Sequence, residues 1–216
     1  MVAAPAVDHT GDSQPRWTWL GRADYAQVHA QQIAERERVW AGESSGTIFL
    51  CEHPPVITLG RSANTDNVLA AGDVPTVRIE RGGDVTYHGP GQLMVYPVVR
   101  VKRGVVDFLS RIAGALADAC EQAGAPGAEF RREPTGLWIG NAKLAACGIH
   151  VARGVSIHGY ALDVDTPGDM WQRIRPCGQC LVQTSLAREL AARERPPVSV
   201  EQLAVLAGPL LVSALL

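Results

Sequence analysis

The sequence predicts an α+β fold in which a mixed or antiparallel sheet is flanked by helices. Short β-branched and apolar runs dominate the middle of the chain, helical periodicity occurs near both ends and once between them, and the two do not alternate regularly. The 216 residues are 46% hydrophobic and 19% charged, which is typical of one compact, water-soluble domain. No repeat or low-complexity tract divides the chain, so we expect a flexible tail over residues 1–14 and a single domain over residues 15–216.

The first half of the chain contains strand signals and one helix. Apolar or β-branched runs predict strands at Trp17–Leu20, Thr47–Cys51, Val56–Leu59, Val77–Glu80 and Leu93–Val99. Apolar residues at helical spacing, with charges between them, predict a helix over Asp24–Trp40. The pair Pro54-Pro55 separates two of the strands, because it forces an extended turn.

The second half contains three helices and a further group of strands. One helix begins at Val105 and ends near Gly124, another covers Leu186–Arg195 until Pro196-Pro197 stops it, and a third resumes at Val200. Strands are predicted at Gly136–Ile139, Ala145–Val151 and Ile157–Val164. The apolar end of the chain is short and interrupted by Gly208-Pro209, so we expect it to pack on the core rather than span a bilayer.

Charge and cysteine content limit the partners and the compartment. Twenty basic and twenty-two acidic residues leave a formal charge of −2, which gives no global attraction to nucleic acid. Residues 1–14 lack the basic start and apolar run of a secretory signal. Five cysteines are an odd number and do not indicate a disulfide framework. We therefore expect a cytoplasmic protein with reduced thiols and no membrane partner.

Two familiar catalytic patterns are excluded. The run Gly42–Gly46 matches the G-x-S-x-G nucleophile elbow of hydrolases, but that elbow needs a strand before its serine and a helix after it. Here the predicted helix comes first, so a helix-to-strand turn is the simpler interpretation. Neither of the standard glycine-rich nucleotide motifs is present, which removes the simplest form of ATP or dinucleotide binding.

A zinc site is the main competing interpretation of the cysteines. Cys147 and His150 are followed, after 26 intervening residues, by Cys177 and Cys180. This spacing is compatible with a four-ligand structural zinc site and hence with a zinc-stabilised binding module. Buried structural thiols and nucleophilic catalysis are the alternatives.

Three segments carry candidate chemistry. The run Arg81–Gln92 is predicted to form a long loop between two strands, and it contains four glycines, which let the backbone approach a ligand closely, together with polar and aromatic side chains. Lys143 interrupts an otherwise apolar stretch beside a predicted strand. Cys177 stands between proline and glycine in a sharp turn that suits an exposed thiol. A nearby ammonium would favour its thiolate form.

Seven segments together resemble the octanoyltransferases of lipoate biosynthesis, the lipoyl(octanoyl) transferases. They follow the family's order and spacing from about Trp17 to Leu190, and their combination is highly specific although each is weak alone. The matching segments are Glu52–Gly60, Arg81–Gly83, Tyr87–Gln92, Lys143–Ala146, His158–Leu162, Pro176–Gly178 and Thr184–Leu186.

The resemblance implies a fold, a mechanism and partners. The fold is that of the biotin-protein and lipoate-protein ligase catalytic domain, and the activity is acyl transfer without a cofactor. Cys177 matches the nucleophile that carries octanoyl as a thioester, and Lys143 matches its dyad partner. Octanoyl-acyl carrier protein is the implied donor, and lipoyl domains of 2-oxoacid dehydrogenase E2 subunits and the glycine cleavage H protein are the implied acceptors. The implied acyl-binding residues are Arg81, Gly82, Gly83, Asp84, Val85, Thr86, Tyr87, His88, Ala146, Cys147, Gly148, Gly159, Tyr160 and Ala161.

The chain departs from the family pattern at three positions. Cys147 stands where we expect an aliphatic residue, Cys180 follows the nucleophile closely, and Gln183 replaces a small or aliphatic residue. Cys147 is interpreted as a small apolar lining residue. These departures keep the zinc site open as an alternative. An ATP-dependent lipoate or biotin ligase on the same fold is the other alternative, but it would leave the cysteine in the proline-glycine turn without a task.

Overall fold

The computed structural model describes residues 15–175 and 181–216, so the predicted tail over residues 1–14 lies outside the described residues. The strands are β1 (Arg16–Arg22), β2 (Thr47–Glu52), β3 (Val56–Leu59), β4 (Thr76–Arg78), β5 (Val85–His88), β6 (Gln92–Val98), β7 (Ala128–Arg132), β8 (Thr135–Ile139), β9 (Ala142–Ala152) and β10 (Val155–Asp163). The α-helices are α1 (Tyr25–Ala41), α2 (Val105–Gln122), α3 (Leu186–Ala191) and α4 (Val200–Leu215). Short 3-10 helices span Thr65–Asn67 and Gly168–Arg173.

The strands form one large mixed sheet and one small sheet. The large sheet has seven strands in the order β1-β2-β6-β10-β9-β8-β7. Only its first pair, β1 with β2, is parallel within the described residues, and the other neighbours run antiparallel. The small sheet has the order β4-β3-β5, with β3 parallel to β4 and antiparallel to β5. This mixed α+β architecture confirms the predicted fold class.

Helices cover both faces of the large sheet. Side chains of α2 and α4 pack on one face in the main core, and α1 packs on the opposite face in a second core. In strand β6, alternate side chains belong to the two cores on opposite faces of the sheet. Leu93 and Val95 belong to the main core, whereas Met94 and Tyr96 belong to the core beneath α1.

Helix α1 begins and ends within one residue of the predicted bounds. The side chain of Asp24 accepts a hydrogen bond from the Gln27 amide at 3.1 Å, and Gly42 ends the helix in a left-handed conformation at φ 78°. The predicted turn follows, and the Ser44 hydroxyl donates to the buried carboxylate of Glu35 at 2.6 Å. That serine therefore holds the helix-to-strand connection.

The apolar C-terminal segment forms a continuous helix rather than a broken one. Ser199 and Gln202 form a reciprocal capping box at the start of α4, and the helix continues through Pro209. A β-carbon at Gly208 would overlap the ring of Trp17 on β1, so this glycine permits close packing of helix on sheet. The expected core-packing role is confirmed. No helix among the described residues combines the length and the apolarity needed to cross a membrane.

Two strands escaped the sequence prediction. Strand β5 lies inside the run Arg81–Gln92. It was not predicted because it is short and is flanked by glycines and polar residues. Strand β7 carries charged residues that are tolerated because it forms an edge of the large sheet. Helix α3 is also shorter than Leu186–Arg195, since Glu194 adopts a left-handed conformation at φ 55°.

Candidate functional site

The start of the glycine-rich run lies against β9 through its backbone. The Gly82 amide donates to the Ile149 carbonyl at 3.0 Å. A β-carbon at Gly148 would lie 2.8 Å from the Gly82 carbonyl oxygen and 3.3 Å from Cδ of Arg81, so glycine permits this close approach. On the other side, the amides of residues 60–62 donate to carbonyls of the run. The run is thereby held between the end of β3 and the middle of β9.

Strand β5 divides the predicted acyl-binding run between two faces. The expectation of one long loop over Arg81–Gln92 is corrected, because β5 pairs in antiparallel register with β3. Successive side chains of a strand point to opposite faces. Thr86 and His88 accordingly line a cavity, whereas Val85 and Tyr87 belong to a separate small core.

The cavity is narrow, with a volume of about 20 Å³, which is room for one or two water molecules. Small-molecule sites usually measure roughly 300–1,000 Å³, so side chains of the wall have to move before an acyl chain can enter. The predicted acyl-binding residues that line it are Arg81, Thr86, His88, Ala146, Cys147, Gly148, Gly159, Tyr160 and Ala161. The structure thus brings together segments that are far apart in the sequence.

Some predicted acyl-binding residues lie behind the lining. The carboxylate of Asp84 accepts hydrogen bonds from the Asn64 amide at 3.0 Å and from the Asn67 side chain at 2.5 Å. Asp84 therefore fastens a neighbouring loop. The predicted residues outside the lining are Gly82, Gly83, Asp84, Val85 and Tyr87.

Four lining residues received no site role from the sequence. Tyr25 begins α1, while Met94 and Tyr96 lie on β6, so each resembled an ordinary core position. His158 is part of the family-like segment His158–Leu162, but no role was assigned to it from the sequence. Cavity-lining residues can be told from core residues by the strand register. That register is known only once the pairing of β6 with β10 is known.

A buried chain of hydrogen bonds runs from the cavity wall into the protein. Arg81 donates to the Thr58 side-chain oxygen at 2.9 Å, and that oxygen lies 3.2 Å from Nε2 of His88. His88 Nδ1 lies 3.0 Å from the side-chain oxygen of Gln92, whose amide donates to Asp163 at 2.9 Å. Because arginine can only donate, the Thr58 hydroxyl gives its proton to Nε2, and Nδ1–H donates to Gln92. The chain requires a neutral His88.

Three ionisable groups on the cavity wall are held neutral, whereas the buried Arg81 keeps its positive charge. Burial, aided by the charge of Arg81, lowers the pKa of His88 to about 3. Burial raises the pKa of Cys147 to about 11 and lowers the pKa of His158 below its usual range. Near neutral pH these three groups carry no charge, which suits an apolar ligand.

The predicted dyad lysine is buried on β9. Lys143, one of only two lysines in the chain, is 9% exposed, and its Nζ lies 5.6 Å from the centroid of the Trp138 ring. A β-carbon at Gly136 would lie 2.6 Å from Cε of Lys143, so this glycine makes room for the side chain. The Lys143 amide donates to the Val182 carbonyl at 2.9 Å, and the Lys143 carbonyl accepts from the Thr184 amide at 2.9 Å.

The predicted nucleophile Cys177 lies outside the described residues, as does Cys180. The chain before them is fastened by the Arg175 amide, which donates to the Asn67 carbonyl at 2.8 Å. The chain after them pairs with β9 at Lys143, as described above.

The other half of the predicted zinc site does not form a ligand pair. Cys147 and His150 lie three residues apart on β9, which pairs in continuous register with β10. Positions separated by an odd number in a strand point to opposite faces. Cys147 lines the cavity, whereas His150 is opposite Ile157, which belongs to the core beneath α1. The zinc interpretation is therefore wrong for Cys147 and His150, which do not face the same ion. The other two proposed ligands, Cys177 and Cys180, lie outside the described residues.

Comparison with known proteins defines the class of this fold and site. Residues 24–205 match the family model of the lipoyl protein ligase A/B catalytic domain. A bi-partite lipoate protein ligase from Thermoplasma acidophilum has the same fold, with a TM-score of 0.67, 14% identity and coverage of 94% of this chain and 84% of that one. A biotin protein ligase from Aquifex aeolicus also shares it, with a TM-score of 0.53, 11% identity and coverage of 93% and 70%. The chain belongs to the lipoyl protein ligase A/B catalytic domain family.

Within this family, the chain is similar to enzymes that transfer octanoyl groups. The octanoyltransferase of Xanthomonas euvesicatoria is 37% identical over 194 residues, which cover 88% of this chain and 82% of the relative. The protein is an acyltransferase, and its activity is octanoyl transfer in lipoate biosynthesis. The ligases named above match at much lower identity and support the fold alone, so the ligase alternative gains no support from them.

Proposed function

We propose that the enzyme moves an octanoyl group from octanoyl-acyl carrier protein to a lipoyl-domain lysine through a thioester on Cys177. The thiolate of Cys177 attacks the thioester carbonyl, and the carrier sulfur leaves as a thiol after taking a proton from the Lys143 ammonium. The acceptor amine then attacks the new thioester, forming an amide and returning the proton and the sulfur to the enzyme. The acceptors in this proposal are lipoyl domains of E2 subunits and the H protein, and the compartment is the cytoplasm.

The observation that carries the proposal is the position of Lys143. Its backbone pairs with Val182 and Thr184, which closely follow Cys177 in the chain, and its side chain is buried. A lysine ammonium beside a cysteine stabilises the thiolate. Lowering a thiol pKa by about two pH units is worth roughly 2.7 kcal/mol and makes the thiolate the main form at neutral pH.

The composition of the cavity wall supports binding of an acyl chain. The wall includes the apolar side chains of Met94, Ala146 and Ala161, and its His88 and Cys147 side chains are neutral near pH 7, as argued above. Each methylene buried there contributes about 0.8 kcal/mol. We therefore expect affinity to rise with chain length until the cavity is full.

An ATP-free transfer assay tests the proposal. Octanoyl-acyl carrier protein, an apo lipoyl domain and the enzyme are mixed without nucleotide, and the mass of the lipoyl domain is followed over time. We expect a gain of one octanoyl group, and a rate roughly 10²–10⁴-fold lower for Lys143→Met, because the ammonium and its proton transfer are lost.

The matched control is the only other lysine of the chain. Lys102 is exposed, with Nζ donating to the Leu216 carbonyl at 2.8 Å, so Lys102→Met should keep the rate of the unmodified enzyme. Transfer that requires ATP, or equal rates for both methionine variants, would contradict the proposal.

A further inference from the structure

Two histidines and a glutamate meet beside the cavity, and none of them has a role in acyl transfer as proposed above. His29 lies on α1, Glu80 precedes the glycine-rich run, and His158 lies on β10. One ligand atom from each of the three side chains lies within 4.8 Å of the other two. His29 Nε2 is 3.2 Å from Oε1 of Glu80, and His158 Nε2 is 3.6 Å from Oε2.

His158 is the member of this cluster that ordinary packing leaves unexplained. Its side chain is 2% exposed; Nδ1 has no hydrogen-bond partner in the described residues, and Nε2 faces the Glu80 carboxylate at 3.6 Å, longer than a regular hydrogen bond. An unsatisfied buried polar atom costs roughly 1–3 kcal/mol. The ring is thus buried with Nδ1 unpartnered and Nε2 only weakly paired with Glu80.

The backbone of His158 is also held in an uncommon conformation. Its φ is +61°, a left-handed value that few residues other than glycine adopt, and it occurs within strand β10. The His158 amide donates to the side-chain oxygen of Gln32 at 2.7 Å, and Gln32 lies one helical turn from His29. Helix α1 therefore fixes both histidines relative to each other, with their rings stacked at a centroid distance of 5.2 Å.

We propose that His29, Glu80 and His158 form a binding site for a divalent transition-metal ion of the zinc class. Two imidazoles and one carboxylate are the donor set of sites that hold zinc or ferrous iron and keep an open position. Tetrahedral zinc with ligand bonds near 2.0–2.1 Å places its ligand atoms about 3.3 Å apart. The two distances to Glu80, one measured to each carboxylate oxygen, lie on either side of that value.

The site would join three separate elements at the edge of the cavity. Because His158 also lines the cavity, a bound ion would fix the orientation of one wall residue. The buried guanidinium of Arg81 is a neighbouring positive charge, and it donates to the Thr58 and Gly82 carbonyls at 2.8 and 3.0 Å. Its repulsion weakens binding of a cation, so we expect reversible rather than permanent occupancy.

Titration of the reduced full-length protein with Co²⁺ tests the site and identifies its donors. We expect one ion per chain with visible ligand-field bands and without the intense near-ultraviolet band of a cobalt–thiolate bond. We also expect Zn²⁺ to displace the cobalt and to raise the unfolding temperature, since an ion that binds only the folded state stabilises it.

Paired histidine variants separate this site from the cysteines. His29→Ala should lose the cobalt spectrum and the zinc-dependent rise, whereas His150→Ala, on the neighbouring strand and outside the cluster, should keep both. His29 is half-buried on a helix, so the metal-free unfolding temperature of its variant shows whether the fold is retained. A silent titration, a thiolate spectrum, or a signal that survives His29→Ala would overturn the proposal. None of these outcomes depends on acyl transfer.

Discussion

Replacing Asp163 with asparagine should change how the stability of the protein depends on pH. Asp163 is 2% exposed, and its side chain accepts hydrogen bonds from Gln92 at 2.9 Å and from Thr166 at 2.8 Å. Burial raises the pKa of this carboxyl from 3.8 to about 7, against the smaller opposing effects of those hydrogen bonds and of Lys143. Asparagine keeps an oxygen that can accept both hydrogen bonds but cannot ionise.

The direction of the effect follows from proton binding. A carboxyl with a raised pKa holds a proton in the folded state that the unfolded chain has already released. Its contribution to stability is therefore fully present below about pH 4 and is lost as the pH rises through about 7. A displacement of about three pH units, at about 1.4 kcal/mol for each, amounts to about 4 kcal/mol in a fully buried group.

Urea unfolding across this range measures the effect. We expect the free energy of unfolding of Asp163→Asn, relative to the unmodified protein, to rise by about 4 kcal/mol between about pH 4 and pH 8. Asp165→Asn is the matched control, because Asp165 is exposed and only two residues away, and its difference should stay flat. A flat or falling difference for Asp163→Asn would refute the reasoning.

Three further substitutions test the packing and the helix ends. At Gly159 a β-carbon would overlap the Val95 carbonyl oxygen, so Gly159→Ala should lower the unfolding temperature in calorimetry by about 4–8 °C. The control is Gly114→Ala, which has open space around its β-carbon and should be neutral or slightly stabilising. Glu35→Ala leaves two hydroxyl groups and a guanidinium without their carboxylate partner. Urea unfolding should show that the free energy of unfolding falls by about 3 kcal/mol, and a fall below about 1 kcal/mol would contradict a stabilising role for this carboxylate. Ser199→Ala removes a capping box and should cost about 1 kcal/mol by the same method, and no measurable loss would argue against the cap.

Local patterns in the sequence were sufficient for most of the regular elements. Helix α1 could be predicted to within one residue at each end because apolar residues at helical spacing are a local signal. Strand β6 was placed to within a residue since it is buried on both faces and is continuously apolar. Strands β5 and β7 were missed because pairing with distant partners, rather than their own composition, makes them strands.

The candidate site could be predicted in part, and the limit is again the pairing of distant segments. The motifs placed Thr86 and His88 in the acyl site together with Val85 and Tyr87, but the alternation of β5 turns the last two into a small core. The same period separates His150 from the cysteine with which it was paired in the zinc interpretation. Register depends on long-range contacts that no short segment encodes.

Mass spectrometry of the intact enzyme tests the central claim most directly. The reduced protein is mixed with octanoyl-acyl carrier protein in the absence of an acceptor and is then weighed. The account predicts one added octanoyl group that hydroxylamine releases, that persists in Cys147→Ser, and that is absent from Cys177→Ser. An adduct that survives Cys177→Ser, or normal transfer to a lipoyl domain with no adduct formed on the enzyme, would contradict it.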